Sequence, residues 1–289
     1  MHESLALIQR QGHRVQSIST TGPGSAAEIA RWCLDQGADA ILVAGGDGTI
    51  NEVANGMVYS NVPLGVLPGG TANVLASEIG LGGDMLAAAR QLSEWIPERV
   101  SVGAHKDGPE RPARFFLLMC GAGLDAHIVY HLSAPVKASF GKAAYWLGGF
   151  SQLGRRLPEF DVEADGTAYR ASFALVSRVR NYGGDLDIAP SVTLLDDEFE
   201  LVLFSGENSF LYLRYMLAIA KARLRTTPGV TVLRSRSVKV LGVNGQRIYS
   251  QVDGEYAGPL PINLEIVPRA LTLLLPQSYR VRRPHPWTT

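Results

Sequence analysis

The spacing of apolar residues changes near Pro97 and divides the chain into two parts. Before it, helical patterns alternate with short apolar runs, such as the buried strand predicted from Ala40 to Val43. After it, alternating segments such as FDVEA and TAYRA flank the hairpin turn Asp165-Gly166. The pattern predicts an α/β domain with a parallel sheet before this point and a β-rich, sandwich-like domain after it.

The first part repeats one unit, a strand followed by a glycine-rich loop and a helix. The strand after Ala40 leads into Gly45–Thr49 and the helical pattern INEVANGM, and the strand Leu64 to Leu67 leads into Pro68–Thr71 and ANVLASEIG. In parallel α/β sheets such loops lie at the carboxyl ends of the strands, where ligands bind.

Helix ends in this part are predicted from short polar patterns. Ser25 with Glu28, and Thr49 with Glu52, have the spacing of a capping box, and Gly37 marks a helix end. A further helix is expected near Asp84 to Leu92.

Strands dominate the second part, with two helical stretches between them. The helical stretches are Lys137 to Arg156 and Ser209 to Arg225. Strands are predicted at Ser172 to Ser177, Phe199 to Phe204, Val230 to Leu241, Arg247 to Val252 and Ile262 to Val267.

Composition and charge exclude several classes of function and partner. Twenty-seven basic residues balance 27 acidic ones, so the net charge does not indicate a nucleic-acid partner. Cys33 and Cys120 are the only cysteines, which excludes a disulfide framework. The segment MHESLALIQRQGHR lacks the apolar core of a signal peptide, and no stretch approaches the ~20 apolar residues that a membrane span needs, so we expect neither. His127 and His131 stand four apart without a third metal ligand. We expect a cytoplasmic protein that touches membranes only peripherally.

The first glycine loop has the composition of a phosphate site. Gly45, Gly46 and Gly48 allow close backbone approach, and the following helix start favours negative charge. Because Asp47 would repel phosphate, we expect it to act through Mg²⁺. The alternative is a plain glycine turn in which Asp47 and Thr49 cap the helix.

The segments GGDGTINEVANG and PLGVLPGGTANVLA, with the later Asp253-Gly254-Glu255, resemble the catalytic domain of diacylglycerol and sphingosine kinases. NAD kinases and phosphofructokinases share a GGDGT-like loop. The resemblance covers nearly the whole chain. It implies an α/β nucleotide domain over residues 1–97 and 268–289, because the chain end returns to it, a β-rich lipid-substrate domain over residues 98–267 and an active site in the cleft. It implies nucleotide contacts by Thr20, Gly45, Gly46, Asp47, Gly48, Thr49, Ile50, Asn51, Glu52, Gly70 and Thr71. Asn73 is either a further contact or a capping residue.

Two carboxylates are candidates for the general base that a lipid hydroxyl needs. A continuous strand from Tyr249 to Glu255 would place Gln251, Asp253 and Glu255 on one face. Asp253 is the first candidate and Glu255 the second, since burial can raise a carboxyl pKa enough to accept a proton. The alternative is an ordinary Asp-Gly turn with a solvated acid.

The resemblance also implies a structural Mg²⁺. The ligands would be the side chain of Asp196 and the main-chain carbonyls of Thr193 and Glu198. The alternative is a solvated acidic turn before a strand.

Contact with a membrane would come from local patches. The candidates are the helix within residues 209–225 and the tail containing Arg280, Arg282, Arg283 and Trp287. Each can instead be ordinary surface, and a homodimer is left open.

Family members begin with a strand that ends in an Asn-Pro and glycine phosphate loop, whereas this chain starts at the helix ESLALIQRQG and the strand-like HRVQSIST. We expect a truncated start; the alternative is a molecule that lacks part of the nucleotide site.

The sequence as a whole predicts in-line transfer of phosphate from Mg-ATP to a lipid alcohol, with diacylglycerol as the first acceptor expected. Phosphatidylglycerol, a sphingoid base, a soluble alcohol or a dinucleotide remain alternatives, as does a nonenzymatic lipid-binding module.

Overall fold

The computed structural model describes residues 1–108, 111–123, 154, 156–182, 186–243 and 245–281. No helix in these ranges is long and apolar enough to cross a membrane. Several predictions fall outside them, namely those on most of the stretch Lys137 to Arg156, on His127 and His131, and on Arg282, Arg283 and Trp287.

The first unit alternates short strands and helices. Its elements are α1 (His2–Arg10), α2 (Ser25–Asp35), β1 (Ile41–Gly45), α3 (Asp47–Met57), β2 (Leu64–Pro68), α4 (Val74–Glu78) and α5 (Met85–Arg90). A 3-10 turn at Leu92–Glu94 leads into the second unit.

The second unit consists mainly of strands. They are β3 (Trp95–Lys106), β4 (Arg114–Phe116), β5 (Met119–Gly123), β6 (Phe160–Ala164), β7 (Thr167–Ala171), β8 (Phe173–Ser177), β9 (Asn181–Tyr182), β10 (Leu186–Asp187) and β11 (Phe199–Phe204). After α6 (Leu211–Ala220) and a 3-10 turn at Leu224–Thr226 come β12 (Val230–Ser235), β13 (Ser237–Leu241), β14 (Tyr249–Val252), β15 (Glu255–Pro259), β16 (Ile262–Pro276) and α7 (Gln277–Val281).

The strands form two large sheets and one small one. The first has the order β1-β2-β16-β13-β6-β7, with β3 paired to β16 and β4, and the second has the order β12-β11-β8-β5-β14-β15. The small sheet pairs β9 with β10. In the first sheet β1, β2 and the end of β16 run parallel, while β3 is antiparallel to β16. The predicted parallel sheet is therefore a mixed one.

Two apolar cores hold these layers together. Phe116, Phe160 and Phe199 belong to a core between the two sheets of the second unit, where the rings of Phe116 and Phe199 stack at 5.7 Å. Another core joins the first unit to the β5-β8-β11 region and to α6, through residues such as Leu175 and Tyr215. The predicted combination of an α/β domain and a β-sandwich is confirmed.

β3 and β16 run through both units. They pair from Asn263 opposite Lys106 to Pro276 opposite Trp95. The predicted boundaries after residues 97 and 267 fall inside these strands. Pro97 does not interrupt β3. Among the described residues, β3 pairs at this point with β16 alone, and such an edge position tolerates a proline, which has no N–H to donate.

Two other predicted elements differ in the structure, and one agrees with it. Residues 13–20 form no strand, since the described residues offer this segment no pairing partner. The predicted strand Val230 to Leu241 is two strands, with Arg236 between them. The hairpin turn is confirmed, as Asp165 and Gly166 have φ angles of 49° and 78°.

Both predicted capping boxes are wrong, although Gly37 does end α2 with a φ of 74°. α2 begins at Ser25, whose hydroxyl accepts hydrogen bonds from the N–H groups of Thr21 and Gly22 at 3.1 and 3.2 Å. α3 begins at Asp47, and Glu52 instead accepts the N–H of Ala26 in α2 at 3.3 Å.

Candidate active site

The two glycine loops lie against each other at the carboxyl ends of β1 and β2. The N–H of Gly69 donates to the carbonyl of Gly45 at 3.0 Å. A Cβ atom on Gly70 would lie only 2.5 Å from the Cα of Gly46. Side chains are therefore excluded here, and the starts of α3 and α4 come together with the exposed main chain that a phosphate can approach.

Asp47 fastens the helix after the second loop to the first loop, and Asn73 closes the second loop on itself. The carboxylate of Asp47 accepts the N–H groups of Val74 and Leu75, both at 3.0 Å. Asn73 has a φ of 48° and closes a turn with Gly70, accepting its N–H at 2.8 Å and donating to its carbonyl at 2.9 Å. Asp47 thus caps α4 and not its own helix, and Asn73 has a structural role in the turn, since its side chain caps no N–H group of α4.

The other residues predicted to contact a nucleotide lie at different depths. Ile50 is 1% exposed and its N–H bonds to the carbonyl of Gly46, so its side chain faces the core, and its contact with a nucleotide stays a prediction. Thr49 packs beside Gly45 in the first turn of α3. Thr71 is exposed at the loop, and Thr20 is exposed before α2, without a hydrogen bond to either loop in the ranges that the structure describes.

Asp253 and Gly254 form the tight turn between β14 and β15. Their φ angles are 49° and 81°, as a two-residue hairpin turn requires. The predicted single strand from Tyr249 to Glu255 is therefore wrong, and Glu255 begins the returning strand opposite Val252. The predicted turn is present, but its acid is not solvated, since Asp253 is only 8% exposed.

Hydrogen-bond donors surround the Asp253 carboxylate. It accepts the N–H groups of Leu117 and Leu118 at 3.1 Å and that of Met119 at 2.9 Å, together with the side-chain amide of Asn51. Burial raises the pKa of Asp253 to about 6, although these hydrogen bonds act in the opposite direction. A carboxylate with this pKa can accept a proton near neutral pH and release it again.

Asn51 and Asn55 connect this carboxylate to the first glycine loop. Asn51, in α3, donates to Asp253 and to the carbonyl of Phe115 at 3.2 Å. Asn55 both donates to and accepts from the main chain of Phe115 at 2.9 Å. Asn55 was not predicted as a site residue, although it lies four residues after Asn51 and therefore on the same face of the helix.

Glu255 extends over the first glycine loop. Its Oε1 lies 3.2 Å from the position that a Cβ atom on Gly48 would occupy. Its Oε2 accepts a hydrogen bond from Arg114 at 2.6 Å, and the side chain is 52% exposed. Glu255 is therefore the more accessible of the two carboxylates, and Arg114 is a neighbouring cation that the sequence did not predict.

Two arginine side chains from outside contact the loop that was predicted to bind a structural Mg²⁺. Arg178 is 0% exposed and donates to the carbonyls of Asp196, Glu198, Ser101 and Leu194, at distances from 2.5 to 3.4 Å. Arg178 thereby uses the Glu198 carbonyl that was predicted as a metal ligand.

The remaining predicted ligands are also engaged. The carboxylate of Asp196 accepts Arg234 at 2.7 Å and the N–H of Thr193 at 2.8 Å, while the carbonyl of Thr193 accepts the N–H of Asp196 at 3.1 Å. Protein donors thus contact all three predicted ligands, and a structural Mg²⁺ at this loop stays a prediction. Burial lowers the pKa of Arg178 to about 10, so the guanidinium remains charged at neutral pH. Across the described part of the chain, no three His, Cys, Asp or Glu side chains converge as metal ligands.

A buried carboxylate ties the second glycine loop to the β-rich unit. Glu78, at the end of α4, accepts the hydroxyl of Tyr279 at 2.9 Å and the N–H of Arg180 at 3.0 Å. The same hydroxyl accepts the N–H of Leu194 at 3.0 Å. α4, α7 and the loop around Arg178 therefore share one hydrogen-bond network.

Comparison with known protein families gives two matches. The model of the diacylglycerol kinase catalytic domain matches residues 1–105. The model of the YegS C-terminal NAD kinase beta sandwich-like domain matches residues 119–275.

Similar curated proteins match along almost their whole length. A diacylglycerol kinase of Bacillus subtilis (strain 168) is 28% identical over 280 residues, covering 95% of this chain and 90% of that protein. A diacylglycerol kinase of Staphylococcus aureus (strain Newman) is 24% identical over 281 residues, covering 96% and 87%.

Solved structures share the fold. The crystal structure of a diacylglycerol kinase from Bacillus anthracis has a TM-score of 0.76 at 20% identity and covers 96% of this chain and 92% of its own. Yeast NADH kinase complexed with NADH has a TM-score of 0.50 at 11% identity, covering 95% and 79%.

Proposed function

This chain belongs to the diacylglycerol kinase family and is a kinase, and from that premise we propose that it transfers the γ-phosphate of ATP to the hydroxyl of a membrane lipid. Diacylglycerol, which the names of its relatives give as their substrate, is the first acceptor to test. The enzyme would work as a peripheral protein at the inner face of the membrane.

The observation that carries this proposal is the link from Asp253 through Asn51 to the first glycine loop. Asn51 lies in the helix that begins at Asp47, directly after Gly46. The link holds a carboxylate with a raised pKa beside the loops that can cradle phosphates. Such an arrangement suits phosphoryl transfer, in which positioning and charge stabilisation supply most of the catalysis.

In the proposed reaction the lipid hydroxyl oxygen bonds to the γ-phosphorus while the bond from that phosphorus to the bridging oxygen of ADP breaks. The hydroxyl proton passes to Asp253. The hydrogen bond from Asn51 is the one that can break during this transfer, because the other three donors to Asp253 are main-chain N–H groups fixed by the fold. Arg114 lies beside Glu255 and can balance negative charge near Gly48.

Asp47 would hold the Mg²⁺ that accompanies the nucleotide. Each of its carboxylate oxygens accepts one N–H group, and an ionised carboxylate oxygen has a second acceptor site. The residues present therefore fit a nucleotide-bound Mg²⁺, for which phosphate oxygens and water complete the coordination.

The experiment is transfer of labelled γ-phosphate from Mg-ATP to diacylglycerol in mixed micelles. Wild type and Asp253→Asn are compared with Asp165→Asn, a matched control in another Asp-Gly hairpin turn with the same φ of 49°. We expect labelled phosphatidic acid from the wild type and the control, and a loss of about 10²- to 10⁴-fold in the Asp253 variant. Equal rates in all three proteins would rule out Asp253 as the base, and loss in Glu255→Gln alone would transfer the role to Glu255.

A further inference from the structure

Helix α6 carries an exposed apolar stripe. The stripe consists of Phe210, Leu213 and Leu217, which are 56%, 40% and 60% exposed. Their spacing of three and four residues places them on one side of the helix. Three large apolar side chains in a row on the surface indicate an interaction site more strongly than isolated ones would.

The opposite side of α6 fixes the helix to the β-rich unit. Tyr215 and Ile219 are buried in the core, and the Tyr215 ring stacks on Phe204 at 4.5 Å. The Tyr215 hydroxyl also donates to the carbonyl of Ser205 at 2.8 Å. Since this side is occupied, the helix is held rigidly with the apolar stripe outward.

Basic residues border the stripe. Between Glu207 and Asp253 the sequence has eight basic residues and no acidic one, although the chain as a whole is neutral. Four of them pair with acidic side chains from elsewhere in the fold, namely Arg225, Arg234, Arg236 and Lys239, and do not count toward the border. Lys221 and Arg223 are exposed and form no ion pair with any residue that the structure describes. On the helix, Arg214 and Lys221 follow the stripe residues Phe210 and Leu217 by four positions, which places them on the same side.

We propose that this stripe and its basic border dock the enzyme on a bilayer that contains anionic lipids. Apolar side chains enter the region between head groups and acyl chains, while the neighbouring cations meet the negative surface. This combination favours a lipid surface over a protein partner, because a purely apolar stripe would suit either. The inference rests on the proposed function only in supposing that the acceptor lies in a membrane.

Vesicle co-sedimentation tests the proposal directly. Vesicles of phosphatidylcholine alone are compared with vesicles that also contain phosphatidylglycerol, and the test variant is Leu213→Ser/Leu217→Ser. The control is Trp32→Ser, a comparably exposed apolar residue on α2, at 44%. We expect binding to the anionic vesicles to fall at least about tenfold in the test variant, from the buried apolar area it removes, and to be unchanged in the control.

A second pair of variants tests the charges. Lys221→Glu/Arg223→Glu is compared with Arg31→Glu, an exposed arginine on α2. Removal of each cation weakens binding to the anionic surface about fivefold, so the double variant loses at least about 25-fold. Binding that is independent of anionic lipid, or equal in all variants, would overturn the proposal.

Two further readouts separate the alternatives. If the stripe instead binds a second copy of this chain, Leu213→Ser/Leu217→Ser will convert a dimer into a monomer in analytical ultracentrifugation without changing vesicle binding. Activity on a short-chain, water-dispersed diacylglycerol should survive in this variant, since docking is not part of the chemistry. Stripe-dependent vesicle binding by a protein without kinase activity would support docking and reject the proposed function.

Discussion

At the scale of single residues, Asp253 is a buried carboxylate whose position is set by main-chain donors. The turn conformation orients it toward the N–H groups of Leu117, Leu118 and Met119, and burial outweighs these contacts in raising its pKa to about 6. A solvated aspartate would be too weak a base to take much of a hydroxyl proton. The environment of Asp253 therefore matters as much as its presence in the motif.

This pKa predicts the pH dependence of catalysis. The base acts in its ionised form, so kcat/KM should rise as pH increases through about 6 and level off above it. A profile from pH 5 to pH 8 measures this for the wild type and for Asp165→Asn, which should coincide. A flat profile, or a midpoint near 4, would show that Asp253 does not act as proposed.

The free energy of unfolding should fall with rising pH, whereas kcat/KM should rise. The folded pKa of about 6 lies above the ordinary value of 3.8, so the folded state binds more protons between these values. The contribution of Asp253 to the free energy of unfolding is thus largest below about pH 4. It falls by about 3 kcal/mol as the pH rises through about 6. Urea unfolding at several pH values should show this fall in the wild type and lose it in Asp253→Asn.

The glycine at position 70 provides a steric prediction. In Gly70→Ala the new methyl group would lie 2.5 Å from the main chain of Gly46, which cannot yield as a flexible side chain could. The loops would separate, and we expect ATP affinity to fall at least about tenfold. Gly83→Ala is the control, because its nearest atom would be 4.0 Å away. Equal ATP affinity in calorimetric titrations of both variants would contradict the loop geometry.

Local sequence patterns predicted these residues but not their contacts. The motif identified Asp47, Asn51 and Asp253, since glycine loops and Asp-Gly turns have short-range signatures. The partners of Asp47 lie 27 and 28 residues away, and Asn51 and Asp253 are separated by 202 residues. Distances of this kind depend on how the sheets are assembled, which spacing along one chain does not specify.

At the scale of elements, the loop between β10 and β11 contains an internal cation. The resemblance implied a bound Mg²⁺ there, and the structure places the positive charge of Arg178, the residue that follows β8, against the Glu198 carbonyl that was one of the predicted ligands. The guanidinium binds four carbonyls in a fixed fork, as a metal ion would. Arg178 was not predicted from the sequence, because an isolated arginine after a strand belongs to no recognisable motif.

Arg178→Met tests this assignment. The variant removes the guanidinium from four carbonyls, of which those of Ser101 and Leu194 are buried, and we expect the free energy of unfolding to fall by about 3–5 kcal/mol. Arg236→Met, whose side chain is 70% exposed, should change it by less than about 0.5 kcal/mol. EDTA should leave the melting temperature of the wild-type protein unchanged without nucleotide. A rise in Tm on adding Mg²⁺ to the wild type would instead indicate a metal in this loop.

At the scale of the whole molecule, the two units are joined by shared strands and by one buried hydrogen-bond network. The sequence predicted a strand only for Ile262 to Val267, the first part of β16, and none for β3, because the apolar pattern changes where these strands pass from one unit into the other. The alternation of residues still predicted the α/β and β-sandwich parts correctly, since each part has its own period.

The network around Glu78 gives a prediction about how the units hold together. Tyr279→Phe removes the hydroxyl that donates to Glu78 and accepts from Leu194. The free energy of unfolding should fall by about 1–3 kcal/mol, because Glu78 and Leu194 each lose a buried partner. Tyr169→Phe, in β7 and only partly buried, is the control and should have little effect. Equal stabilities in urea unfolding would show that the network contributes nothing.

The central claim is that the acceptor is a lipid alcohol, and a competition among acceptors in one assay tests it most directly. Labelled γ-phosphate from Mg-ATP is offered to the wild-type protein with a mixed-lipid extract, NAD⁺ and glycerol together, and the products are separated. The account predicts label in a phosphorylated lipid, with diacylglycerol giving phosphatidic acid, and none in the soluble acceptors. Label in NADP⁺ or glycerol phosphate, with the lipid fraction unlabelled, would contradict it.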